Sequence, residues 1–75
     1  MDAKNSIKKM LYNSRKSQAQ LARDIKVSQA TVASYTERDV RSSTLARCAE
    51  ATNHEVIIRN KITNETWRLD GSDNE

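Results

Sequence analysis

Residues 17–38 read SQAQLARDIKVSQATVASYTER and carry the strongest local signals for structure in the chain. The stretch opens on Ser17, and Gln20 follows three residues later, a spacing that forms a capping box and predicts the start of a helix. We expect this helix to end at about residue 25. Its apolar face consists of Leu21, Ala22 and Ile25.

A second helix is predicted directly after an interruption at residues 26–27. Ser28 is a good N-cap, and Val32 and Tyr35, three residues apart, continue an inward apolar face to about residue 35. The outward positions are small or neutral, in a chain that elsewhere covers its surface with charge. These positions are Gln29, Ala30, Ala33 and Ser34. We therefore expect something other than water to lie against this helix.

Two short helices joined by a tight turn, with a contact surface on the second, form a helix-turn-helix. Residues 17–38 resemble the Cro/phage-repressor (XRE-like) family, and the resemblance extends weakly on both sides. It implies a small repressor similar to lambda Cro, with a C-terminal hairpin. The family usually has glycine where this chain has Lys26, because that turn residue often adopts a positive φ. A lysine there would cost up to about 1 kcal/mol, so we expect a reshaped turn.

The resemblance also implies which residues contact DNA. Gln29 opens the recognition helix, where a glutamine can pair bidentately with adenine in the major groove, and Ala30 can pack on a thymine methyl. Ala33 and Ser34 match positions that approach base edges in relatives. Nine residues are candidates for phosphate contacts, although solvated loop charge is an equally simple interpretation of each: Arg15, Lys16, Gln18, Ser28, Thr31, Arg38, Arg41, Ser42 and Ser43.

Helices are also predicted on either side of the motif. The first spans about residues 2–13, and its apolar stripe is Ile7, Met10 and Leu11. After a polar loop at residues 36–43, Ser43 is expected to cap a fourth helix that Asn53 ends in the left-handed conformation. The inward residues of this fourth helix are Leu45, Ala46, Cys48 and Ala49.

The hydrophobic period then changes from 3.6 to 2, which predicts a hairpin with strands at residues 55–61 and 66–69 and a turn at 63–65. The predicted fold is therefore mainly α with a small β element: four short helices, including the helix-turn-helix, and then the hairpin. We expect one domain over residues 1–70, with residues 71–75 disordered.

Trp67 has two interpretations. It can close the small core under the hairpin, or it can anchor an interface. Because a hairpin leaves at least one edge unpaired, we expect a two-fold dimer built on it. The predicted interface residues are Val56, Ile57, Ile58, Trp67 and Leu69.

Charge is divided unevenly along the 75 residues, whose net charge is +3. Residues 1–47 hold ten bases and four acids, 10 − 4 = +6, and residues 48–75 hold three bases and six acids, 3 − 6 = −3. A basic body with an acidic tail suits a polyanionic partner at one end. A single cysteine, Cys48, cannot form an intramolecular disulfide and is expected to act as a small buried hydrophobe.

Other classes of protein are disfavoured by the sequence. We find no paired carboxylates, no nucleophile with a base, no glycine-rich loop and no metal-ligand spacing. We therefore expect no enzyme activity, metal, cofactor or small-molecule ligand. The chain lacks a long apolar run and a secretory signal pattern, so we expect a cytoplasmic protein in a bacterial or phage-infected cell, associated with the nucleoid.

Three functions remain open. The favoured one is a dimeric, sequence-specific transcriptional regulator of phage or mobile-element type, which binds palindromic operator DNA. The second is an antitoxin-type module that grips a protein partner through the hairpin and acidic tail. The third is a nonspecific nucleic-acid binder, which would show a steep salt dependence but little base preference.

Overall fold

The computed structural model describes residues 3–70, which fold into four helices followed by a two-stranded antiparallel sheet. This confirms the predicted fold class, mainly α with a small β element. The expectation of a disordered tail at residues 71–75 lies outside the described residues. The elements are α1 (Ala3–Ser14), α2 (Gln18–Ile25), α3 (Gln29–Tyr35), α4 (Ser42–Ala51), β1 (Val56–Arg59) and β2 (Thr66–Leu69).

Within residues 3–70, none of the helices has the length and apolar character needed to cross a bilayer.

The core lies among the helices. Ile7 of α1, Leu21 of α2, Val32 of α3 and Cys48 of α4 are completely buried, so each helix contributes one side chain without solvent contact. The predicted stripe of α1 is confirmed, because Met10 and Leu11 are buried beside Ile7. Small side chains on α2 and α4 let the helices approach closely. These are Ala22, Ala46 and Ala49, each at most 4% exposed.

Side-chain caps define the starts of α2 and α3, as predicted. The Ser17 Oγ accepts a hydrogen bond from the Gln20 backbone N–H at 3.1 Å, and the Gln20 side chain accepts one from the Ser17 N–H at 2.8 Å. Ser28 caps α3 by accepting a bond from the Thr31 N–H at 3.1 Å. These bonds satisfy donors that a helix start would otherwise leave without partners.

Three of the helices end on a residue in the left-handed conformation, and none of these residues is glycine. They are Arg15 after α1, Lys26 after α2 and Asn53 after α4, with φ of 58°, 63° and 61°. At the end of α2, the Val27 N–H donates to the Ala22 carbonyl at 2.9 Å and the Lys26 N–H donates to the Arg23 carbonyl at 3.3 Å. This bond pair is the Schellman motif, which turns the chain sharply out of a helix.

The expectation that Lys26 reshapes the turn is wrong. Lys26 adopts φ 63° and ψ 46°, the left-handed conformation for which glycine is the usual choice. The two backbone bonds of the motif hold it there, and its exposed side chain requires no other geometry. Lys26 thus adopts the positive φ that is expected of a glycine at this position, and the cost is backbone strain of about 1 kcal/mol.

The start of α4 differs from the prediction. Ser43 does not cap this helix, because α4 begins at Ser42 and Arg41 is the N-cap residue. The Arg41 carbonyl accepts the first helical bond, from Leu45 N–H at 2.9 Å, but its side chain makes no capping bond. The helix therefore begins two residues earlier than a Ser43 cap would allow, and Thr44 is buried in its first turn. Of the four predicted inward residues, Leu45 alone is only half-buried.

The hairpin has the register Val56 with Leu69 and Ile58 with Trp67. Strand β1 (Val56–Arg59) is shorter than the predicted 55–61. The Asn60 N–H still donates to the Glu65 carbonyl at 2.8 Å, but the chain turns directly after it. The Asn60 side chain accepts hydrogen bonds from the Ile62 and Thr63 backbone N–H groups at 2.9 and 3.3 Å. Such a side-chain turn replaces strand pairing, so residues 60–65 form the connecting loop.

The hairpin projects beyond the helices. Val56 packs against the core and Leu69 is half-buried, but the next pair on the same face, Ile58 and Trp67, is 40% and 49% exposed. The interpretation of Trp67 as the residue that closes the core is therefore wrong. The molecule is elongated, with extents of 40 × 27 × 21 Å.

Candidate nucleic-acid interface

The outer surface of α3 is neutral and accessible. Gln29 and Ala30 are exposed, and Ala33 and Ser34 are half-buried. The opposite side of the helix is fixed by Val32, which is completely buried, and by extensive packing of α3 on α2. A helix anchored in this way presents the predicted base-contacting residues on one rigid surface.

The hydroxyl groups along α3 are engaged within the helix. The Ser28 and Thr31 hydroxyls lie 2.8 Å apart in a mutual hydrogen bond, and Ser34 Oγ donates to the Thr31 carbonyl at 2.6 Å. The Gln29 side chain makes no hydrogen bond within the described residues. Among the four predicted base-contacting residues, Gln29 therefore offers a complete set of donors and acceptors to a partner.

Two arginines lie beside the C-terminal end of α3. Arg38 and Arg41 are exposed, and together with Ser34 they line one shallow cavity between α3 and α4. Asp39 lines the same cavity and offsets part of their charge. The folding of the loop thus brings two predicted phosphate-contacting side chains to the edge of the α3 surface.

The start of α4 adds to the positive character of this region. Because Arg41 provides no side-chain cap, the first N–H groups of α4 keep their hydrogen-bonding capacity. Ser42 is exposed and Ser43 half-buried, both in the first turn. Helix N-termini favour anions, so this turn complements the two arginines.

Gln18 is the first residue of α2 and is half-buried. The capping box engages the N–H groups of Ser17 and Gln20, which leaves the N–H groups of Gln18 and Ala19 as the accessible donors of this helix end. Arg15 is exposed just before the helix. Gln18 and Arg15, two of the predicted phosphate contacts, are therefore accessible in the folded chain.

Lys16 is placed differently from the other predicted phosphate contacts. Its Nζ donates to the Asp24 carboxylate at 2.5 Å and to the Ala51 carbonyl at 2.7 Å. Asp24 and Ala51 line a cavity separate from the one formed by Ser34 and Arg38. The ammonium group therefore ties the α1–α2 connection to α2 and α4, and this engagement argues against the prediction that it contacts phosphate.

The thiol of the buried cysteine has low reactivity. Burial raises the pKa of the Cys48 thiol to about 11, against a smaller opposing effect of the Arg47 charge. The thiol thus stays protonated at neutral pH, and the reactive thiolate is scarce. Within residues 3–70, no three His, Cys, Asp or Glu side chains are grouped so that they could hold a metal ion.

The sequence did not single out Ile62, which is 91% exposed at the hairpin loop. The strand predicted at 55–61 places the turn too late, so Ile62 was not recognised as a loop residue. The available signal was Asn60, because an asparagine side chain favours a turn by bonding the backbone two residues further on.

Comparison of the chain with protein-family models, with curated proteins and with solved structures gives no significant match.

Proposed function

We propose that this chain is a sequence-specific DNA-binding transcriptional regulator that places α3 in the major groove. The observation that carries the proposal is the outer surface of α3, on which an uncommitted Gln29 lies beside Ala30 and Ala33. A glutamine amide pairs bidentately with adenine, and alanine methyl groups pack on the methyl of thymine. The surface therefore suits a half-site that is rich in A·T pairs.

The charges around α3 support this choice of partner. Arg38 and Arg41 lie at one end of the helix, next to the uncapped start of α4. Gln18 and the accessible N–H groups of α2 provide a second set of donors. Contacts of this kind to phosphates would fix the register and orientation of α3 on the duplex, while the α3 surface reads the bases.

The regulator would act as a dimer on a palindromic operator, and by resemblance it is a Cro-like repressor of phage or mobile-element origin. Ile57, Ile58 and Trp67 are between 40% and 49% exposed on the hairpin. Apolar residues on an unpaired sheet edge are usually covered in a soluble protein. A dimer would place two copies of α3 about 10 base pairs apart along the DNA, and occupancy of promoter DNA would repress transcription.

Selection of binding sites from random duplexes by the purified protein, at near-physiological salt, tests the proposal. We expect enrichment of an inverted repeat whose half-sites are separated by about 10 base pairs and contain A·T pairs. Binding without enrichment, lost steeply as salt rises, would contradict specific recognition and leave a purely electrostatic contact. Co-purification of a stoichiometric heterologous protein, with no enriched site, would support the antitoxin-type alternative instead.

A further inference from the structure

Lys16 lies where three helices meet. Its backbone N–H donates to the Leu11 carbonyl at 3.2 Å and so closes the end of α1. The next residue, Ser17, is the N-cap of α2. The Lys16 side chain reaches the end of α4, where its Nζ donates to the Ala51 carbonyl at 2.7 Å, and the same Nζ is paired with the Asp24 carboxylate of α2. One ammonium group therefore joins the ends of α1 and α4 to α2.

An open groove of about 440 Å³ separates α2 from α4 beside this bridge. Both helices contribute residues to its walls, and four of the six are charged: Asp24, Lys26, Arg47 and Glu50. Apolar packing therefore does not fill the space between the two helices on this side. Because Asp24 and Ala51 belong to opposite walls, the Lys16 ammonium connects one wall to the other.

The hairpin follows this end of α4 through a short connection with several hydrogen bonds. Thr52 is buried, and its hydroxyl donates to the Cys48 carbonyl at 2.9 Å. The His54 N–H donates to the Ala49 carbonyl at 2.7 Å, and Val56, the first residue of β1, packs against the core. The end of α4 therefore sets the direction of the hairpin.

Helices α2 and α3 form one packed unit, which we name the recognition unit. Leu21 of α2 and Val32 of α3 are both completely buried, and the two helices pack extensively on each other. The recognition unit carries the proposed base contacts, and the hairpin carries the proposed dimer contacts. The bridge from Lys16 lies between these two parts.

We propose that Lys16 is a positioning residue, which fixes the recognition unit relative to the hairpin and thereby sets the half-site spacing that the dimer accepts. The inference rests on the proposed function, because it needs the dimer and its palindromic operator. It assigns to Lys16 a part in specificity that involves no contact with DNA.

Half-site spacing is sensitive to the orientation of the recognition units. DNA completes a turn in about 10–10.5 base pairs and about 34–36 Å, so each added base pair shifts a half-site by about 3.4 Å and rotates it by about 35°. Two rigidly oriented recognition units cannot follow this change. Units that can turn about the groove between α2 and α4 can follow it. Loss of the bridge should therefore leave the base preference within each half-site intact and broaden the accepted spacing.

A series of operators with half-sites about 9 to 12 base pairs apart tests this inference, with binding measured by fluorescence anisotropy at one salt concentration. The wild-type protein should lose affinity about tenfold or more for each base pair away from its best spacing, and Lys16→Met less than about threefold. Lys16→Arg keeps a cation that can donate to both Asp24 and Ala51, and it should retain the wild-type preference.

Two variants separate positioning from other effects of the lysine charge. Lys9→Met removes another lysine of α1, whose exposed side chain makes no hydrogen bond within the described residues, and it should keep the wild-type spacing preference. Asp24→Ala removes the acidic partner of the bridge and should broaden the preference as Lys16→Met does. Because Asp24 carries no positive charge, a lost phosphate contact cannot explain that result.

Residual dipolar couplings of the full chain measure the same orientation without DNA. In the wild-type protein, the recognition unit and the hairpin should fit one common alignment tensor. In Lys16→Met, the hairpin should require a tensor of its own. The matched variants Lys9→Met and Lys16→Arg should keep the common tensor.

Two results would overturn the positioning role: a spacing preference in Lys16→Met as narrow as that of the wild type, or a common tensor for both parts of that variant. A reduced salt dependence of Lys16→Met at every spacing would also overturn it, and would assign the lysine to a phosphate contact. Failure of the proposed function looks different, because the wild-type protein would then bind operator and scrambled DNA alike. The couplings would decide the role of Lys16 in that case as well.

Discussion

Replacing Lys26 by glycine should stabilise the protein. Lys26 holds φ 63° at the end of α2, where its Cβ crowds the neighbouring carbonyl, while glycine has no Cβ. The side chain is exposed, so the substitution removes no core contact. The backbone bonds of the turn, from Val27 N–H to Ala22 and from Lys26 N–H to Arg23, are kept.

The expected gain follows from two opposing effects. Relief of the left-handed strain is worth about 1–2 kcal/mol, and the greater chain entropy of unfolded glycine removes about 0.5–1 kcal/mol of it. We therefore expect a net gain of about 0.5–1 kcal/mol, which raises the Tm of a domain of this size by about 3–6 °C.

Lys26→Ala is the matched control, because it removes the charge and leaves the Cβ. Urea denaturation and thermal melts should give Lys26→Gly a higher unfolding free energy and a higher Tm than Lys26→Ala. The difference in unfolding free energy should be about 0.5–1 kcal/mol, the gain expected from the backbone alone. Asn53→Gly should gain less than Lys26→Gly, since asparagine tolerates the left-handed region better. Equal stability of the glycine and alanine variants at position 26 would refute the strain that we assign to this turn.

Three further predictions concern stability. Ser17→Ala removes one half of the capping box and should cost about 1 kcal/mol in urea denaturation, whereas intact stability would show that the box is dispensable. Lys16→Met should cost about 0.5–1 kcal/mol, because the ammonium that joins Asp24 to Ala51 is partly exposed, and the salt dependence of DNA binding should stay unchanged. A reduced salt dependence would show that Lys16 contacts phosphate after all. The folded pKa of Cys48 is raised from 9.0 to about 11, so its contribution is complete below pH 9 and is lost as pH rises to 11. The fall in unfolding free energy over that interval should be on the order of 2 kcal/mol larger than in Cys48→Ala, and parallel pH profiles would contradict it.

The sequence predicted the helical part of the fold because its signals are local. Ser17 and Ser28 sit at the first position of a recognisable cap, and the stripes that include Ile7 and Leu21 repeat with the helical period. The preference of a residue type for a backbone conformation did not predict the turn at Lys26. Two backbone bonds hold this lysine in a conformation that its side chain disfavours.

The errors arose where distant packing decides the structure. Whether Trp67 is buried depends on how far the hairpin projects from α4, which no local pattern encodes. The N-cap of α4 is Arg41 instead of the predicted Ser43, and Thr44 is buried in the first turn. For the candidate site, the sequence could predict the exposed Gln29, but the engagement of Lys16 by Ala51, 35 residues away, required the folded chain.

The role of Gln29 in base recognition is tested most directly by comparing Gln29→Ala with Gln18→Ala on two duplexes, the selected operator and a scrambled sequence, at one salt concentration. Gln29→Ala should weaken operator binding by about 1–3 kcal/mol and barely change scrambled DNA, because a base contact carries sequence information. Gln18→Ala should weaken both duplexes alike, as expected for a phosphate contact. Equal losses on both duplexes for Gln29→Ala would contradict recognition of bases by α3.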